Sequence, residues 1–326
     1  MLDFNKIRFF GRHIIKDNKP YFSYSGTGFE FNVVPEAKYV TVNISLLSEL
    51  REHQYQYIAI YVNGTFYKKF QLKEGHNDVK FFVFTEEEIN VKLLKYNETY
   101  VSSLYLEDIT LVNAKIGELK PENKKRIGFF GDSITCGYGN TEHHGEGFTM
   151  EHEEFDRAYP FLIAQKLDMD YMVVARSGVS VSRQIWIDQL FDEIYDTVDM
   201  FNKCPVDDRL DYAIIALGTN DNGAYALAPE EEKPTALKKF VDDYLSLIDC
   251  IIKDNPGVSV IIAYNFVELL EEIKGAFKEI VECASKKYKN SIKLVELIPN
   301  AEGAGGHPYL DGHLSFAKDI VKVIKE

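Results

Sequence analysis

A chain of 326 residues has room for a sizeable buried core and corresponds to about two domains of ordinary size. Apolar residues make up 45% and charged residues 27%, which excludes a disordered or fibrous chain. Aspartate and glutamate total 51 against 37 lysines and arginines, a formal charge of −14 that repels phosphate backbones and anionic lipid, so neither nucleic acid nor a membrane is an expected partner. At the amino terminus Asp3, Lys6, Arg8 and Arg12 interrupt every apolar run before signal-peptide length, and no later stretch approaches the ~18 apolar residues of a membrane span. Cys136, Cys204, Cys250 and Cys283 are widely spaced and form no CxxC pair, which favours free thiols in a reducing compartment. The expectation is a cytoplasmic protein.

Up to about residue 115 the pattern is that of strands. Phe29, Phe31 and Val33 alternate with polar residues, and in AKYVTVNISLL the residues Val40, Val42, Ile44 and Leu46 alternate with Thr41, Asn43 and Ser45. YIAIYVNGTFYKKFQL sets Asn63-Gly64 between two such runs, and both residues tolerate the positive φ of a tight hairpin. With VKFFVF and SSLYLEDITLV, the spacing predicts a β-sandwich of roughly ~110 residues. A polar linker near 116–125, containing Pro121, then divides the chain into domains at 1–118 and 119–326. Beyond it the apolar runs IGFF, YMVVA, YAIIAL, VSVIIAY and IKLVEL alternate with amphipathic segments, predicting an α/β domain with a parallel sheet and flanking helices. Helices are expected in DRAYPFLIAQKLD, in TALKKFVDDYLSLIDCIIKDN up to Pro256-Gly257, in LLEEIKGAFKEIVECASKKY and in SFAKDIVKVIK.

Loops leaving the carboxyl ends of parallel strands share one rim, where ligands bind. Here they read GDSITCGYG, RSGVS and GTND, rich in glycine and small polar residues. Ser133 follows a strand close to a helix amino end, as a cap or as a nucleophile. An acyl-transfer site needs donors for a tetrahedral oxyanion, which the Gly178 amide and the Asn220 side chain could supply; both residues also suit tight turns.

GDSIT with Ser133, Gly178 in RSGVS, Asn220 in GTND and the late His307-Pro308 pair resemble the four blocks of the SGNH, or GDSL-type, hydrolases over about 200 residues. The longer GDSITCGYGN, VARSG and HPYLDGH resemble carbohydrate esterase family 2, which joins an amino-terminal β-sandwich (jelly-roll) to an SGNH domain and whose known members remove acetyl groups from xylan and other sugars. The resemblance implies a nucleophile at Ser133, a base at His307, and an oxyanion hole of the Ser133 and Gly178 amides with the Asn220 side chain. One position departs from the pattern. SGNH enzymes usually carry an aspartate two or three residues before the histidine, where this chain has Gly305 and Ala304. That implies a dyad aided by a backbone carbonyl or a substitute such as Glu302. Asp311 and His313, placed just before the last expected helix, offer an alternative base and orienter.

Other signals are weaker. TEHHGEGFTMEHEEFD gathers His143, His144 and His152 among glutamates without a defined ligand spacing, so no metal is expected, and no organic cofactor either. Cys136 is expected to pack as a small hydrophobe, and Trp186 to pack on a helix in preference to stacking on a sugar. There is no GxSxG or GxGxxG string. The expected protein is a serine esterase that removes O-acetyl groups from carbohydrate, acetylated xylo-oligosaccharides or related sugars, its partner a small-molecule or oligosaccharide ester. A lipid or thioester acylhydrolase, or a catalytically inactive carbohydrate-binding protein, are the alternatives.

Overall fold

The computed structural model describes residues 4–51, 53–119, 123–206, 208–289 and 291–326. The predicted linker at 116–125 includes residues 120–122, which lie outside the described residues. Two compact units are present: Met1–Asn123 with Val198–Met200, and Lys124–Thr197 with Phe201–Glu326.

The first unit contains β1 (Arg8–Phe10), β2 (His13–Lys16), β3 (Lys19–Phe22), β4 (Gly28–Pro35), β5 (Tyr39–Leu50), β6 (Tyr55–Val62), β7 (Thr65–Lys73), β8 (Gly75–Phe84), β9 (Ile89–Lys95), β10 (Ser102–Val112) and β11 (Ala114–Ile116). One antiparallel sheet runs β1-β4-β9-β6-β7, with β11 also on β4, and the other runs β2-β3-β10-β5-β8. Alternation fixes which side chains enter the core. On β5, Val40, Val42, Ile44 and Leu46 are buried while Thr41, Asn43 and Ser45 are half-buried, and they join Phe29, Phe31 and Val33 of β4 in one apolar cluster. Asn63 and Gly64 take φ of 50° and 74°, closing the β6–β7 hairpin with Val62 opposite Thr65. The β-sandwich expected from the sequence is the fold observed. Val198–Met200 belongs to this unit too: the Asp199 carboxylate accepts from the Tyr21 hydroxyl, and its carbonyl accepts from Tyr24 Oη at 3.1 Å. Burial first, and then Asp199, push the Tyr21 phenol well above its ordinary pKa.

The second unit is built on five parallel strands, β12 (Arg126–Gly131), β13 (Asp170–Ala175), β14 (Tyr212–Ala216), β15 (Ser259–Tyr264) and β16 (Ile292–Glu296), in the order β13-β12-β14-β15-β16. Its helices are α1 (Ser133–Cys136), α2 (Tyr159–Leu167), α3 (Phe191–Ile194), α4 (Thr219–Ala226), α5 (Lys233–Asp254), α6 (Glu271–Lys287) and α7 (Leu310–Lys325). Consecutive residues of a strand face opposite sides. Phe129 meets Tyr159 of α2 at 6.0 Å between ring centroids, whereas Phe130 meets Phe191 of α3 at 6.3 Å, so helices cover both faces. The strand order reverses between β12 and β14, and such a switch point opens a crevice at the carboxyl ends of the strands.

One local expectation is corrected. The last helix begins at Leu310, so His313 does not precede it: it lies in the first turn, buried, on the face that continues through Phe316, Ala317, Ile320 and Val321. That spacing is the core stripe of an amphipathic helix, which carries the helix upstream of its serine. Trp186 lies in an irregular loop and is 66% exposed, and one edge of its indole rests on α4, with Cζ2 4.0 Å from where a Cβ on Gly223 would stand.

Gly218 caps α4 with φ of 116°, and a Cβ there would come within 2.6 Å of Phe277 Cζ. Gly275 sits inside α6 with nothing within 4 Å of an added Cβ. We expect Gly218→Ala to lower stability by about 1–3 kcal/mol and Gly275→Ala to raise it by about 1 kcal/mol, read as opposite shifts in the urea midpoint.

Candidate active site

Ser133 is delivered by the end of β12. Gly131 closes the strand where a Cβ would collide with Thr135 Oγ1 at 1.9 Å, and Asp132 caps α1 by accepting from Ile134 N–H at 3.0 Å. This leaves Ser133 as the first residue of a four-residue helix, 7% exposed. So short a helix presents free amides and little macrodipole, a smaller field than a full helix end would give.

His307 arrives from the opposite end of the unit. After β16 the chain makes a tight turn at Ala304–Gly306, with Gly305 and Gly306 at φ of 62° and 76°. His307 Nε2 then lies 2.8 Å from Ser133 Oγ and Nδ1 lies 3.2 Å from the Ala304 carbonyl oxygen. A carbonyl only accepts, so Nδ1 carries the proton and Nε2 presents its lone pair to the serine. Among the described residues no carboxylate hydrogen-bonds to this ring. Glu302 has an exposed side chain, and its carbonyl is taken by His144 N–H at 2.7 Å. Burial pulls the His307 imidazole below its ordinary 6.5, partly opposed by the Ala304 and Gly305 carbonyls.

Asp311 and His313 lie elsewhere. His313 Nδ1 accepts from Tyr159 N–H at 3.2 Å, and exposed Asp311 accepts from Asn300 Nδ2 at 3.3 Å. Neither is brought to Ser133. Burial lowers the His313 imidazole from 6.5 to about 3. The unfolded chain takes up that proton below about pH 6.5 while the folded protein refuses it until about pH 3, so His313 withdraws stability as pH falls through this window.

Asn220 ties the two remaining loops together. From the first turn of α4 its Nδ2 donates to Val179 O at 2.8 Å and points at Asp132 Oδ2, 3.4 Å away. It thus stands between the residue after Gly178 and the residue before Ser133. The backbone N–H groups of Ser133 and Gly178 donate to no other group among the described residues. Gly178 adopts φ of 80°, and a Cβ there would press on Ile187 and Trp186 at 3.2 Å, so the loop accepts only glycine without strain. A serine whose hydroxyl meets an imidazole lone pair can attack an acyl carbonyl to form a tetrahedral oxyanion, for which the unengaged Ser133 and Gly178 amides are candidate donors.

A search of curated protein sequences finds no match. Residues 129–319, more than half of the chain, match the model of the GDSL-like Lipase/Acylhydrolase family. The chain belongs to this family. The fold is shared with a family two carbohydrate esterase from Clostridium thermocellum solved in complex with cellohexaose, at 20% identity over 98% of both chains and a TM-score of 0.87. An acetyl xylan esterase from Butyrivibrio proteoclasticus is similar at 20% identity over 99% of this chain and 96% of that one, with a TM-score of 0.83. A family two carbohydrate esterase from Cellvibrio japonicus aligns at 17% identity over 98% and 95%, with a TM-score of 0.81.

In this GDSL-family chain the structure adds residues to which sequence reasoning gave no role. The buried Asp221 carboxylate accepts from the Val181 and Ser182 amides at 3.0 and 2.9 Å and from Ser182 Oγ at 2.9 Å, gripping the loop that carries Gly178. Burial raises this carboxyl while those donors hold its charge. Its only signal was an acid in a small-residue block after a buried strand. In the histidine-rich segment His152 pairs with Glu142 at 2.7 Å and His143 stacks on Tyr309 at 4.4 Å. Among the described residues no three His, Cys, Asp or Glu side chains are grouped to bind an ion. Cys136 is buried and forms no disulfide.

Asp221→Ala leaves three buried donors without an acceptor, so we expect a loss of about 3 kcal/mol in denaturant unfolding. Faster hydrogen exchange at the Val181 and Ser182 amides than at the amides of β14 would localise it.

Proposed function

We propose that the protein is a serine esterase that removes O-acetyl groups from carbohydrate through a Ser133 acyl-enzyme. The observation that carries the reading is the 2.8 Å contact of Ser133 Oγ with the lone pair of His307 Nε2, the opposite nitrogen being held on a carbonyl. Ser133 Oγ attacks the acetyl carbon as its proton passes to Nε2. Negative charge collects on the former carbonyl oxygen, which the Ser133 and Gly178 amides and Asn220 Nδ2 stabilise. The intermediate collapses by breaking the bond to the sugar oxygen, which leaves with the proton from Nε2. Water then attacks the acetyl-serine, giving one proton to Nε2; the bond to Ser133 Oγ breaks as that proton returns to it, and acetic acid departs and ionises to acetate in solution.

The sugar is supported by two features. The similar structures named as carbohydrate esterases align with almost the whole chain, and Trp186 exposes an indole beside Gly178, next to the reacting carbonyl on this mechanism. The family's name also embraces lipases, and acyl length separates the two: acetate esters cleaved best support the sugar esterase, octanoate esters cleaved best a lipid acylhydrolase.

The first test is acetate release from acetylated xylo-oligosaccharides. We expect turnover by the wild type, a loss of at least about 10³-fold in Ser133→Ala and His307→Ala, and a loss of about 10²-fold in Asn220→Ala. His313→Ala should be milder in kcat; the reverse order of the two histidines would overturn the assignment. Sugar binding without release by the wild type would point to an inactive binder.

The pH profile is a separate expectation. A base whose pKa lies below 6.5 stays neutral to lower pH, so the acid limb of kcat/KM should have its midpoint under 6.5, with activity lost below it as Nε2 is protonated. A midpoint above 6.5 would contradict the desolvated, carboxylate-free histidine.

A further inference from the structure

Among the described residues no carboxylate fixes the plane of His307, but it has an aromatic partner. The imidazole packs on the Tyr138 ring with centroids 4.4 Å apart and planes tilted by 35°. Tyr138 is in turn stacked on Phe148 at 3.7 Å and 8°. The backbone beside Tyr138 braces the same turn. Ala304 N–H donates to Gly139 O at 3.3 Å, and a Cβ on Gly139 would come within 2.5 Å of Ala304 Cβ. Gly139 is therefore seated against the residue whose carbonyl receives His307 Nδ1.

Resting on the reading of His307 as the general base, we infer that Tyr138, clamped by Phe148, is a positioning residue that does part of the missing carboxylate's work. It fixes the plane of the imidazole, and its π face stabilises the imidazolium formed when the Ser133 proton moves to Nε2. The Oγ–H bond breaks, an Nε2–H bond forms, and positive charge spreads over a ring lying within 6 Å of an aromatic face, the range of a cation–π contact. The other groups acting on this ring are few. Ser133 meets Nε2, the carbonyls of Ala304 and Gly305 lie at its edge, and the buried His313 of α7 interacts with it through space. The Glu142 carboxylate, on the loop leading to Phe148, is engaged by His152. Stabilisation of the cation thus falls to carbonyl dipoles and the Tyr138 face.

The test grades the π face while keeping the shape. Tyr138→Phe, Tyr138→Leu and a series of fluorinated phenylalanines at Tyr138 are compared in the full chain, each first checked for an unchanged melting midpoint. Two readouts are taken: the His307 pKa in the resting protein from NMR titration of the ring nitrogens, and kcat/KM for 4-nitrophenyl acetate across pH. We expect Tyr138→Phe to lose at most about threefold and Tyr138→Leu about tenfold, with the His307 pKa and the acid limb moving down with each added fluorine. Fluorination that moves neither the pKa nor kcat/KM, or Tyr138→Leu matching Tyr138→Phe in both, would overturn the inference. If the wild type cleaves no ester, the esterase reading fails by itself. The titration still decides the π contact: a pKa falling with fluorination keeps it, and an unmoved pKa removes it.

Discussion

The site hangs on one contact between residues 174 positions apart, Ser133 Oγ to His307 Nε2. β12 sits second in the sheet order and β16 at its edge, so parallel pairing through β14 and β15 sets where the two loops leave the sheet. Ser133 is fixed locally because Asp132 caps the short α1 and Gly131 is pressed on Thr135. His307 is fixed by a turn that accepts its Nδ1 proton on a main-chain carbonyl three residues back. The serine's environment is ordinary for a strand-to-helix turn, whereas the histidine's depends on a glycine-rich turn holding one carbonyl in place.

A second constraint couples the other two loops. Asn220 and Asp221 are neighbours in the first turn of α4, and consecutive helical residues point about 100° apart. Asn220 reaches the Val179 carbonyl while Asp221 reaches the amides of Val181 and Ser182, so a single turn grips the loop after β13 from two directions. On the proposed mechanism this holds the Gly178 amide in register before any substrate arrives, while Asn220 Nδ2 gives up its long contact with Asp132 to meet the oxyanion. Donors that need no reorganisation during the reaction are the ones that lower a barrier most.

Much of this was legible in the sequence wherever one local period dominated. β5 alternates over a long run, the apolar stripe of α5 ends at Pro256-Gly257, and Asn63-Gly64 carries its turn chemistry on its face. The β2–β3 hairpin was missed because it turns on Asp17-Asn18, at φ of 51° and 60°, with no glycine to announce it. Ile89, Val91 and Leu93 of β9 alternate as well, directly after the acidic run Glu86–Glu88 that marks no strand start. Of the site, Ser133, Gly178, Asn220 and His307 stood in recognisable strings. Asp221, Tyr138 and the Ala304 carbonyl did not, since their places depend on tertiary contacts and a carbonyl is present at every position. Asp199 shows the limit most plainly: a residue from the later half of the chain is a hydrogen-bonding member of the first unit, which no linear boundary can express.

What a carbonyl can replace, and what it cannot, follows from the two tasks of an orienting aspartate. One is tautomer selection: a wrong tautomer costs about 10⁴-fold in a serine protease, and any acceptor at Nδ1 prevents it, so the Ala304 oxygen at 3.2 Å suffices. The other is stabilising the imidazolium, where a full negative charge exceeds the partial charge of a carbonyl in a site that excludes water. A histidine with only dipoles at its edge is therefore a weaker acceptor of the serine proton than one backed by a carboxylate, and burial lowers its pKa further. On the proposed mechanism the same weakness helps the first intermediate collapse, because a less basic imidazole returns its proton more readily to the departing sugar oxygen. A sugar alkoxide, far more basic than imidazole, is a poor leaving group, so on that mechanism the bond to it breaks only as the proton arrives. A dyad poised below the usual pKa would then suit an ester of a sugar hydroxyl, provided the imidazole plane is held firmly enough to serve both transfers.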